Sequence, residues 1–343
     1  MRVLVLGGAG FIGRHAVAAM LRRQHEVIIG SRYPERAVRR LPVQAHRCER
    51  RAVRFEQLLT ANVWQPLLAQ IDVVVNCVGI LRQRGAETYE KVHHIAPAAL
   101  ADACSAAGVR RLVHVSALGL YERVTSGFLI SKRHGEAALR ARAFESVIVR
   151  PSLLDGVDGY GAHWFRRVAR WRFHFIPASA RGRVAPIDVD DLGLALAVLC
   201  EIGDPPSREI ELGGGEQMPI PQYLARLRVQ QCGANAKPAT VVEVPHWIAR
   251  IGSHVCDLLH VTPFSFGHLQ LMQHDNVPHI NRLPELLRAS APPKLSEHNA
   301  AIFLGAQPSS VFILMQCLHI AVLEQTLNPS FPPANAKSPC HFP

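Results

Sequence analysis

The first thirteen residues contain the feature that most constrains the fold. A fully apolar run, Val3–Leu6, is followed directly by the glycine-rich segment Gly7–Gly13 and then by a helical pattern that continues to Leu21. Four consecutive apolar residues are typical of a strand buried on both faces. Glycines permit a tight turn and let backbone N–H groups approach a phosphate, and the start of the helix adds a favourable dipole. The segment therefore predicts a phosphate-binding loop.

The spacing of these glycines indicates a dinucleotide. Gly7, Gly10 and Gly13 form G-x-x-G-x-x-G, and the spacing G-x-G-x-x-G starts one residue later. Such spacings bind the pyrophosphate of a dinucleotide when a strand precedes them and a helix follows. We expect these glycines, with Phe11 and Ile12, to contact the cofactor.

Strands alternate with helices along the first two thirds of the chain. The predicted strands after the first are Glu26–Ile29, one between Arg40 and Phe55, Asp72–Cys77, Arg111–Ser116, Ser146–Arg150 and Glu209–Leu212. The predicted helices are Glu87–Ala107, Ser131–Arg142 and one that Asp190 caps and that runs to Glu201. This alternation predicts an α/β fold, a Rossmann-type doubly wound parallel sheet with a small, mostly helical C-terminal lobe.

This pattern predicts that the chain is divided into three segments. Residues 1–212 form the predicted NAD(P)-binding domain, with a substrate-pocket insertion at about 152–185. Residues 213–300 form the C-terminal lobe, and residues 301–343 are expected to be a divergent, poorly ordered tail. The late apolar run 311–323 is shorter than the roughly 20 residues of a membrane-spanning helix.

Composition narrows the function classes. The formal net charge is +11, but the arginines are scattered, which favours a basic solvated surface over a nucleic-acid site and leaves membrane association open. The 8 cysteines form no C-x-x-C pair and the 18 histidines no H-x-x-x-H pair, so no metal site is predicted. No signal peptide precedes the first strand, and we expect a cytoplasmic protein with reduced thiols.

The end of the second strand bears on the choice of cofactor. NAD binders usually place an acidic residue there to accept hydrogen bonds from the ribose hydroxyls. This chain has Ser31 and Arg32, and a guanidinium matches a 2′-phosphate. We expect a preference for NADP(H), with NAD(H) as the alternative. Arg32 could instead begin a solvated loop, because three further arginines follow within eight residues.

At this point the chain resembles the atypical or extended short-chain dehydrogenase/reductases, which are NAD-dependent epimerase/dehydratase-like. The resemblance covers roughly residues 1–300. After Asn299 the chain departs from the family. More narrowly, the chain resembles the group that contains the NAD(P)H-binding accessory subunit of respiratory complex I. Besides the glycine segment, the motifs are Asp72–Gly79 (DVVVNCVG), Val113–Gly119 (VHVSALG), Ser131–Lys132, Val149–Ser152 (VRPS) and Pro186–Asp191 (PIDVDD).

The resemblance implies roles for individual residues. It places Val78, Gly79 and Pro151 beside the cofactor, and it implies that Ser116 orients a substrate oxygen. Lys132 would bind the nicotinamide ribose and lower the pKa of a tyrosine four residues earlier, which shares its helix face. Read without the resemblance, Ser116 could be a strand-end cap and Lys132 a solvated helix residue.

The tyrosine is missing from this chain. Position 128 is Phe128, whose ring can neither donate nor accept a proton. Tyr121 is a weaker substitute in the same loop. The sequence thus supports an oxidoreductase or epimerase that uses Ser116, Lys132 and another acid, or else a non-catalytic dinucleotide-binding sensor or assembly subunit. The substrate is an unspecified small molecule, for which the aromatic and arginine cluster Trp164–Phe175 is either a pocket or ordinary packing between lobes.

Overall fold

A computed structural model describes residues 1–37, 39, 41–259 and 264–290. Its main sheet has seven strands: β1 (Arg2–Leu6), β2 (Glu26–Ser31), β3 (Arg50–Ala52), β4 (Val73–Asn76), β5 (Arg111–Val115), β6 (Ser146–Pro151) and, later in the chain, β11 (Glu209–Leu212). All neighbouring strands are parallel, in the order β11-β6-β5-β4-β1-β2-β3. This order confirms the predicted Rossmann-type doubly wound sheet.

Six further strands of the described residues lie outside this sheet. They are β7 (Leu154–Asp155), β8 (Phe173–Pro177), β9 (Arg183–Val184), β10 (Ile187–Asp188), β12 (Met218–Pro219) and β13 (Thr240–Val244). They form three separate pairs, β10 with β7, β12 with β9, and β13 with β8.

Eleven α-helices lie in the described residues. They are α1 (Phe11–Arg22), α2 (Pro34–Ala37), α3 (Ala61–Trp64), α4 (Ala96–Ala106), α5 (Gly127–Arg140), α6 (Tyr160–Ala169), α7 (Val189–Glu201), α8 (Ile220–Cys232), α9 (His246–Leu259), α10 (Phe266–Gln273) and α11 (Leu283–Ala289). Short 3-10 turns occupy Val43–Arg47 and Gln65–Leu67, and a π-helical turn, Glu90–Ile95, precedes α4.

The apolar run of β1 is buried because helices cover both faces of the sheet. Val3 and Val5 pack in a core with α1 and α7, whereas Leu4 and Leu6 pack in a second core with α3 and α4. All four side chains are fully buried. The period-2 geometry of a strand thus distributes one continuous apolar run between two cores.

Several predicted boundaries were wrong. The helix that contains Lys132 begins at Gly127 rather than Ser131, and the helix expected from Glu87 begins with the π-helical turn at Glu90. Asp190 does not cap α7. The cap is Asp188, whose carboxylate accepts a hydrogen bond from the Asp190 backbone N–H at 2.7 Å. A helix N-cap sits outside the first helical turn, and here the first turn already contains Asp190.

The residues after β11 share a core with the predicted insertion. Strand β13 pairs in parallel with β8, and Tyr223 and Leu227 of α8 are buried together with Ala169 and Ile176. Residues 291–343, which include the predicted tail, lie outside the described residues. Within the part of the chain that the structure describes, no helix is long and apolar enough to span a bilayer.

A buried arginine ties the end of α7 to the sheet. Arg111 of β5 is only 1% exposed and donates to the carbonyls of Leu199, Ile202 and Gly203 at 2.5–2.8 Å, and it pairs with Glu145. The last carbonyls of a helix have no partner within the helix, so this guanidinium satisfies acceptors that would otherwise be buried unpaired.

We expect Arg111→Met to lower the free energy of unfolding by about 2–4 kcal/mol, because three carbonyls lose their donor. Urea denaturation followed by circular dichroism measures this loss. The matched control is Arg142→Met, which removes a solvent-facing ion pair with Asp102 and should cost no more than about 1 kcal/mol. Equal effects of the two substitutions would contradict this role of Arg111.

Candidate functional site

The site lies at the carboxyl edge of the sheet, where the chain order reverses. Strand β1 is central, with β2 on one side and β4 on the other, and the strand ends Leu6, Gly30 and Asn76 are in register. In doubly wound sheets this crevice is the place where ligands bind. The predicted site residues that follow β1, β2, β4 and β5 therefore converge on one edge.

The glycine loop closes tightly over this edge. Gly7 has φ +73°, and the N–H groups of Gly7 and Gly8 donate to the Gly30 carbonyl at 2.9 and 3.2 Å. A Cβ on Gly13 would lie 2.2 Å from the Gly7 carbonyl oxygen, so only glycine allows α1 to start this close to the loop. A Cβ on Gly10 would meet that oxygen alone, at 3.0 Å.

The start of α1 fits a dinucleotide pyrophosphate. Gly10 occupies the N-cap position, none of the described side chains caps the helix, and the first turn contains no acidic residue. The Phe11 ring packs toward the backbone of Gly156 and Gly159, and Ile12 packs against the core. The backbone N–H groups and the helix dipole are thus the features that this loop offers to an anion.

The segment after β4 lies next to the glycine loop and to Lys132. A Cβ on Gly7 would lie 3.2 Å from a methyl group of Val78, and a Cβ on Gly79 would lie 3.9 Å from Lys132 Nζ. The Asn76 side-chain oxygen accepts from the Val78 N–H at 3.0 Å and fixes this turn. The structure thus brings Gly7 close to Val78, and Gly79 close to Lys132.

Ser116 follows β5 and presents an unused hydroxyl. The residue is 6% exposed, its N–H donates to the Val149 carbonyl at 2.7 Å, and its Oγ has no hydrogen-bond partner among the described residues. A buried hydroxyl without a partner is costly unless a ligand satisfies it. Pro151, which ends the neighbouring strand β6, is buried, and its carbonyl accepts from Leu118.

Lys132 extends from α5 toward this edge. Its Nζ lies 5.8 Å from the centroid of the Phe128 ring, one helical turn earlier. Burial lowers the pKa of Lys132 to about 8, against an opposing effect of the Glu136 carboxylate. Glu136 itself is paired with Arg150 at 2.5 Å. An amine with such a pKa exchanges protons readily near neutral pH.

Aromatic rings and histidines enclose Phe128, which is 8% exposed. The ring packs edge-on against Tyr89 and His93 at 5.8 and 5.6 Å, and it stacks with His268 at 6.2 Å. Burial lowers the pKa of His268 to about 4, so this imidazole is neutral at physiological pH. Sequence reasoning did not single out Tyr89 or His268, whose positions are 39 residues before and 140 residues after Phe128.

His93 is a third residue that sequence reasoning did not place in the site. It accepts from the Ile80 N–H at Nε2, at 3.1 Å, and therefore carries its proton on Nδ1, which lies 3.0 Å from Ser131 Oγ. Desolvation, with the nearby Lys132 charge, keeps the pKa of His93 well below its usual range. A neutral histidine thus connects the turn after β4 to the Ser131–Lys132 pair.

The adjacent histidine points outward. His94 Nδ1 lies 2.6 Å from a Glu90 carboxylate oxygen, and the His134 ring is 5.6 Å away. One ligand atom from each of these three residues lies within 4.8 Å of the others, on the protein surface. Because His93 faces the interior, the two adjacent histidines do not share a site.

Tyr121 is held away from Phe128. Its hydroxyl donates to the Asp275 backbone carbonyl, and its ring packs against His274 at 5.4 Å. Burial raises the pKa of this phenol, and Asp275 and Glu211 raise it further. These contacts commit Tyr121 to the C-terminal region rather than to the vicinity of Lys132.

The end of β2 carries more positive charge than the sequence indicated. Arg32 pairs with both carboxylate oxygens of Glu87 at 2.6 Å, and Ser31 Oγ lies 3.4 Å from the Tyr33 N–H. Arg36 and Arg54 flank the exposed Tyr33 ring at 5.5 and 5.6 Å. Arg54 follows β3, which neighbours β2, so the sheet order brings it to Tyr33.

A cavity of about 560 Å³ extends from the glycine loop to the C-terminal helices. Phe11 and His268 both line it, so it begins beside the cofactor loop and beside the ring that stacks on Phe128. The other lining residues are almost all apolar: Leu81, Leu153, Leu154, Gly161, Ala162, Trp164, Phe165, Val168, Trp171, Phe175, Ile176, Pro177, Ile220, Leu224, Val244, Ile248, Ala249, Gly252, Cys256, Phe264 and Met272.

The cavity resolves the two interpretations of the aromatic cluster. Trp164 packs edge-on against Trp171 at 6.0 Å, and Phe165 packs against Tyr223 at 5.6 Å. Phe165 therefore packs between the insertion and α8, and Trp164, Phe165, Trp171 and Phe175 line an apolar cavity.

Comparison with known proteins gives the same assignment for the N-terminal half. A family model described as NAD(P)H-binding matches residues 7–164. A ceramide reductase of Caulobacter vibrioides is 33% identical over 201 residues, which cover 58% of this chain and 60% of the relative. The mitochondrial NADH dehydrogenase 1 alpha subcomplex subunit 9 of Arabidopsis thaliana is 25% identical over 213 residues, 61% of this chain and 53% of that subunit. The chain thus spans less than two thirds of these curated relatives.

Solved structures share the fold at low sequence identity. The UDP-glucuronic acid 4-epimerase of Bacillus cereus, determined with UDP-glucuronic acid and NAD, superposes with a TM-score of 0.59 at 18% identity and covers 86% of this chain and 95% of the enzyme. The UDP-glucose 4-epimerase of Thermotoga maritima gives 0.54 at 19% identity, over 71% of this chain and 86% of the enzyme.

The sheet order, the glycine loop and the turn after β4 agree with these matches. The family model includes the glycine loop, strands β2 to β6 and the turn after β4. The chain thus contains an NAD(P)H-binding domain with a Rossmann-type fold, and it is similar in sequence to the ceramide reductase and to the NADH dehydrogenase subunits.

Proposed function

We propose that this protein is an NADP(H)-dependent oxidoreductase that reduces a carbonyl group on an apolar substrate. The observation that carries the proposal is the buried, unpartnered Ser116 hydroxyl at the crevice that also holds Lys132. When bound, the reduced cofactor supplies the hydride. The protein must then orient the substrate oxygen and deliver one proton to it.

Ser116 and Lys132 divide these two tasks. The Ser116 hydroxyl donates a hydrogen bond to the substrate oxygen and thereby satisfies its own buried donor. The Lys132 ammonium gives the proton that converts the developing alkoxide to an alcohol, and solvent reprotonates the amine. A pKa of about 8 suits this role, because the ammonium is populated at neutral pH and still releases its proton readily.

Arginines at the end of β2 support a preference for NADP(H). Arg32, Arg36 and Arg54 lie around Tyr33, and a 2′-phosphate gains charge-assisted hydrogen bonds from guanidinium groups. Glu87 opposes this preference, because its carboxylate competes with the phosphate for Arg32. We infer that the phosphate displaces Glu87 from Arg32.

The cavity supports an apolar substrate. It starts beside Phe11 and His268, and an aliphatic chain in it would be shielded from water by aromatic and branched side chains. The relative from Caulobacter vibrioides is named a ceramide reductase, which is an activity on an apolar substrate. An epimerase acting on a nucleotide sugar would need polar partners for hydroxyl groups that this lining does not offer.

A non-catalytic role is the second candidate. Phe128 lacks the proton donor of the usual tyrosine, and its ring is packed among Tyr89, His93 and His268. Several relatives are named as subunits of NADH dehydrogenase. In this alternative the chain binds the dinucleotide as a sensor or assembly subunit and turns over no substrate.

The first prediction concerns cofactor choice. Arg32→Ala should weaken NADPH binding about tenfold to a hundredfold, because a charge-assisted contact is worth roughly 1.5–3 kcal/mol, and should leave NADH binding unchanged. Glu87→Gln should strengthen NADPH binding severalfold by freeing Arg32. Fluorescence titration with both cofactors measures this. Equal NADPH and NADH affinities in the unaltered protein would refute the preference.

The second prediction concerns the proton. Phe128→Tyr should raise kcat/KM for NADPH-dependent reduction by about 10²-fold or more, because it restores a general acid on the helix face of Lys132. Phe128→Leu is the control and should give no gain.

The proton donor also predicts how the rate depends on pH. The unaltered protein needs the ammonium form of Lys132, so the rate of reduction should be at its maximum below pH 7 and fall as the pH rises through about 8. Lys132→Arg keeps the positive charge but cannot release a proton, so it should lower the rate about 10²-fold or more and remove this fall. Tight NADPH binding without turnover in any variant would favour the non-catalytic role.

The third prediction concerns the substrate. Each methylene buried in the cavity contributes about 0.8 kcal/mol, so kcat/KM should rise about fourfold per carbon along a series of straight-chain ketones until the cavity is filled. Gly252 lines the cavity and has room for a side chain, so Gly252→Leu should shorten the preferred chain. Gly215→Leu, which also has room but does not line the cavity, should not. No dependence on chain length would exclude the cavity as the substrate site.

A further inference from the structure

Helix α9 presents its most apolar side to solvent. Trp247, Ile251 and Val255 follow each other at four-residue spacing on one side of the helix, and they are 64%, 58% and 46% exposed. Ile248, one residue along, extends the same side and is 43% exposed. A helix that packs on a globular core normally turns such residues inward.

The inner side of α9 is made of small and polar residues. Ala249 and Ser253 are buried, and Ser253 Oγ donates to the Arg250 carbonyl. Asp257 accepts from the Phe266 N–H at 3.0 Å and lies 3.5 Å from Arg82. These polar contacts fix the orientation of α9 about its axis. The apolar side is therefore exposed in the packed position of the helix.

Aromatic and basic residues continue this surface beside the helix. Trp171, Phe173 and Phe175 are exposed at the start of β8 and just before it, and they alternate with Arg170 and Arg172, which are also exposed. Among the described residues neither arginine has an ion-pair partner. On α9, Arg250 borders the apolar side, with its guanidinium 5.9 Å from the Phe266 ring.

The exposed surface is continuous with the cavity. Trp171, Phe175 and Ile248 are exposed to solvent and also line the cavity that begins at the glycine loop. A molecule in contact with the exposed surface therefore meets the opening of the cavity without crossing a polar barrier.

We infer that this surface, made of Trp171, Phe173, Phe175 and the exposed side of α9, docks on the surface of an anionic lipid bilayer. Tryptophan and phenylalanine are favoured at the bilayer interface, and exposed arginines beside apolar residues are attracted by anionic headgroups. The net charge of +11 adds to this attraction. The inference is independent of the proposed reaction, since it rests on the surface alone.

Flotation of the full-length protein with vesicles tests the inference. Vesicles of phosphatidylcholine and phosphatidylglycerol should carry the protein upward, vesicles of phosphatidylcholine alone should carry much less, and added salt should weaken the binding. Trp247→Glu with Ile251→Glu should lower the partition coefficient at least about tenfold. The control, Val229→Glu with Ile280→Glu, changes two equally exposed apolar residues elsewhere and should change it less than about twofold.

A second pair of variants isolates the charge. Arg170→Gln with Arg172→Gln should reduce the preference for anionic vesicles, whereas Arg22→Gln with Arg47→Gln, also exposed, should retain it. Vesicles with brominated acyl chains should quench tryptophan fluorescence in the unaltered protein, and Trp171→Phe with Trp247→Phe should lose most of this quenching. NADPH titration of every variant checks that the nucleotide-binding domain remains folded.

Two outcomes would overturn the inference. One is the absence of flotation with anionic vesicles by a protein that binds NADPH. The other is flotation that Trp247→Glu with Ile251→Glu leaves unchanged. If the unaltered protein does not float and instead sediments as a dimer that this double variant dissociates, the surface is an interface between two copies of the chain.

Discussion

The contact between the loop after β1 and the first turn of α1 determines the geometry of the whole site. The helix starts so close to the Gly7 carbonyl that a single methyl group on Gly13 would overlap it. This closeness directs the free N–H groups of the first turn at the crevice and sets Gly7 against Val78. The turn after β4 then lies beside Lys132, so the positions of the glycine loop, the β4 turn and Lys132 depend on one contact between glycines.

The sequence predicted the structure correctly where a pattern of residues is compatible with only one kind of local structure. A short strand buried on both faces must be apolar throughout, and a glycine-rich turn between a strand and a helix has few roles, so β1 and its loop were predictable. Strand β3 is only three residues long, with two arginines, and had no such pattern. The cap of α7 was misplaced by two residues because three aspartates, Asp188, Asp190 and Asp191, each suit a helix N-terminus.

Contacts between distant segments could not be predicted. The pairing of Arg32 with Glu87 joins residues 55 apart, and the rings around Phe128 come from the start of the π-helical turn and from α10. A local sequence pattern carries no information about contacts between distant residues, because these depend on the order of the strands and on the conformation of the loops. Helix α9 is a related case, because its apolar period predicts an amphipathic helix but does not indicate which side packs on the protein.

The parallel pairing of β13 with β8 has a consequence for how this fold diversifies. Strand β8 belongs to the insertion after β6, and β13 belongs to the segment after β11, yet each supplies the other's hydrogen-bonding edge and both segments share one core. Neither segment can be exchanged between related proteins without leaving an unpaired edge and a half-empty core. Recombination, natural or engineered, must therefore transfer the two segments together. The cavity is formed by two separate stretches of the gene that have to change together.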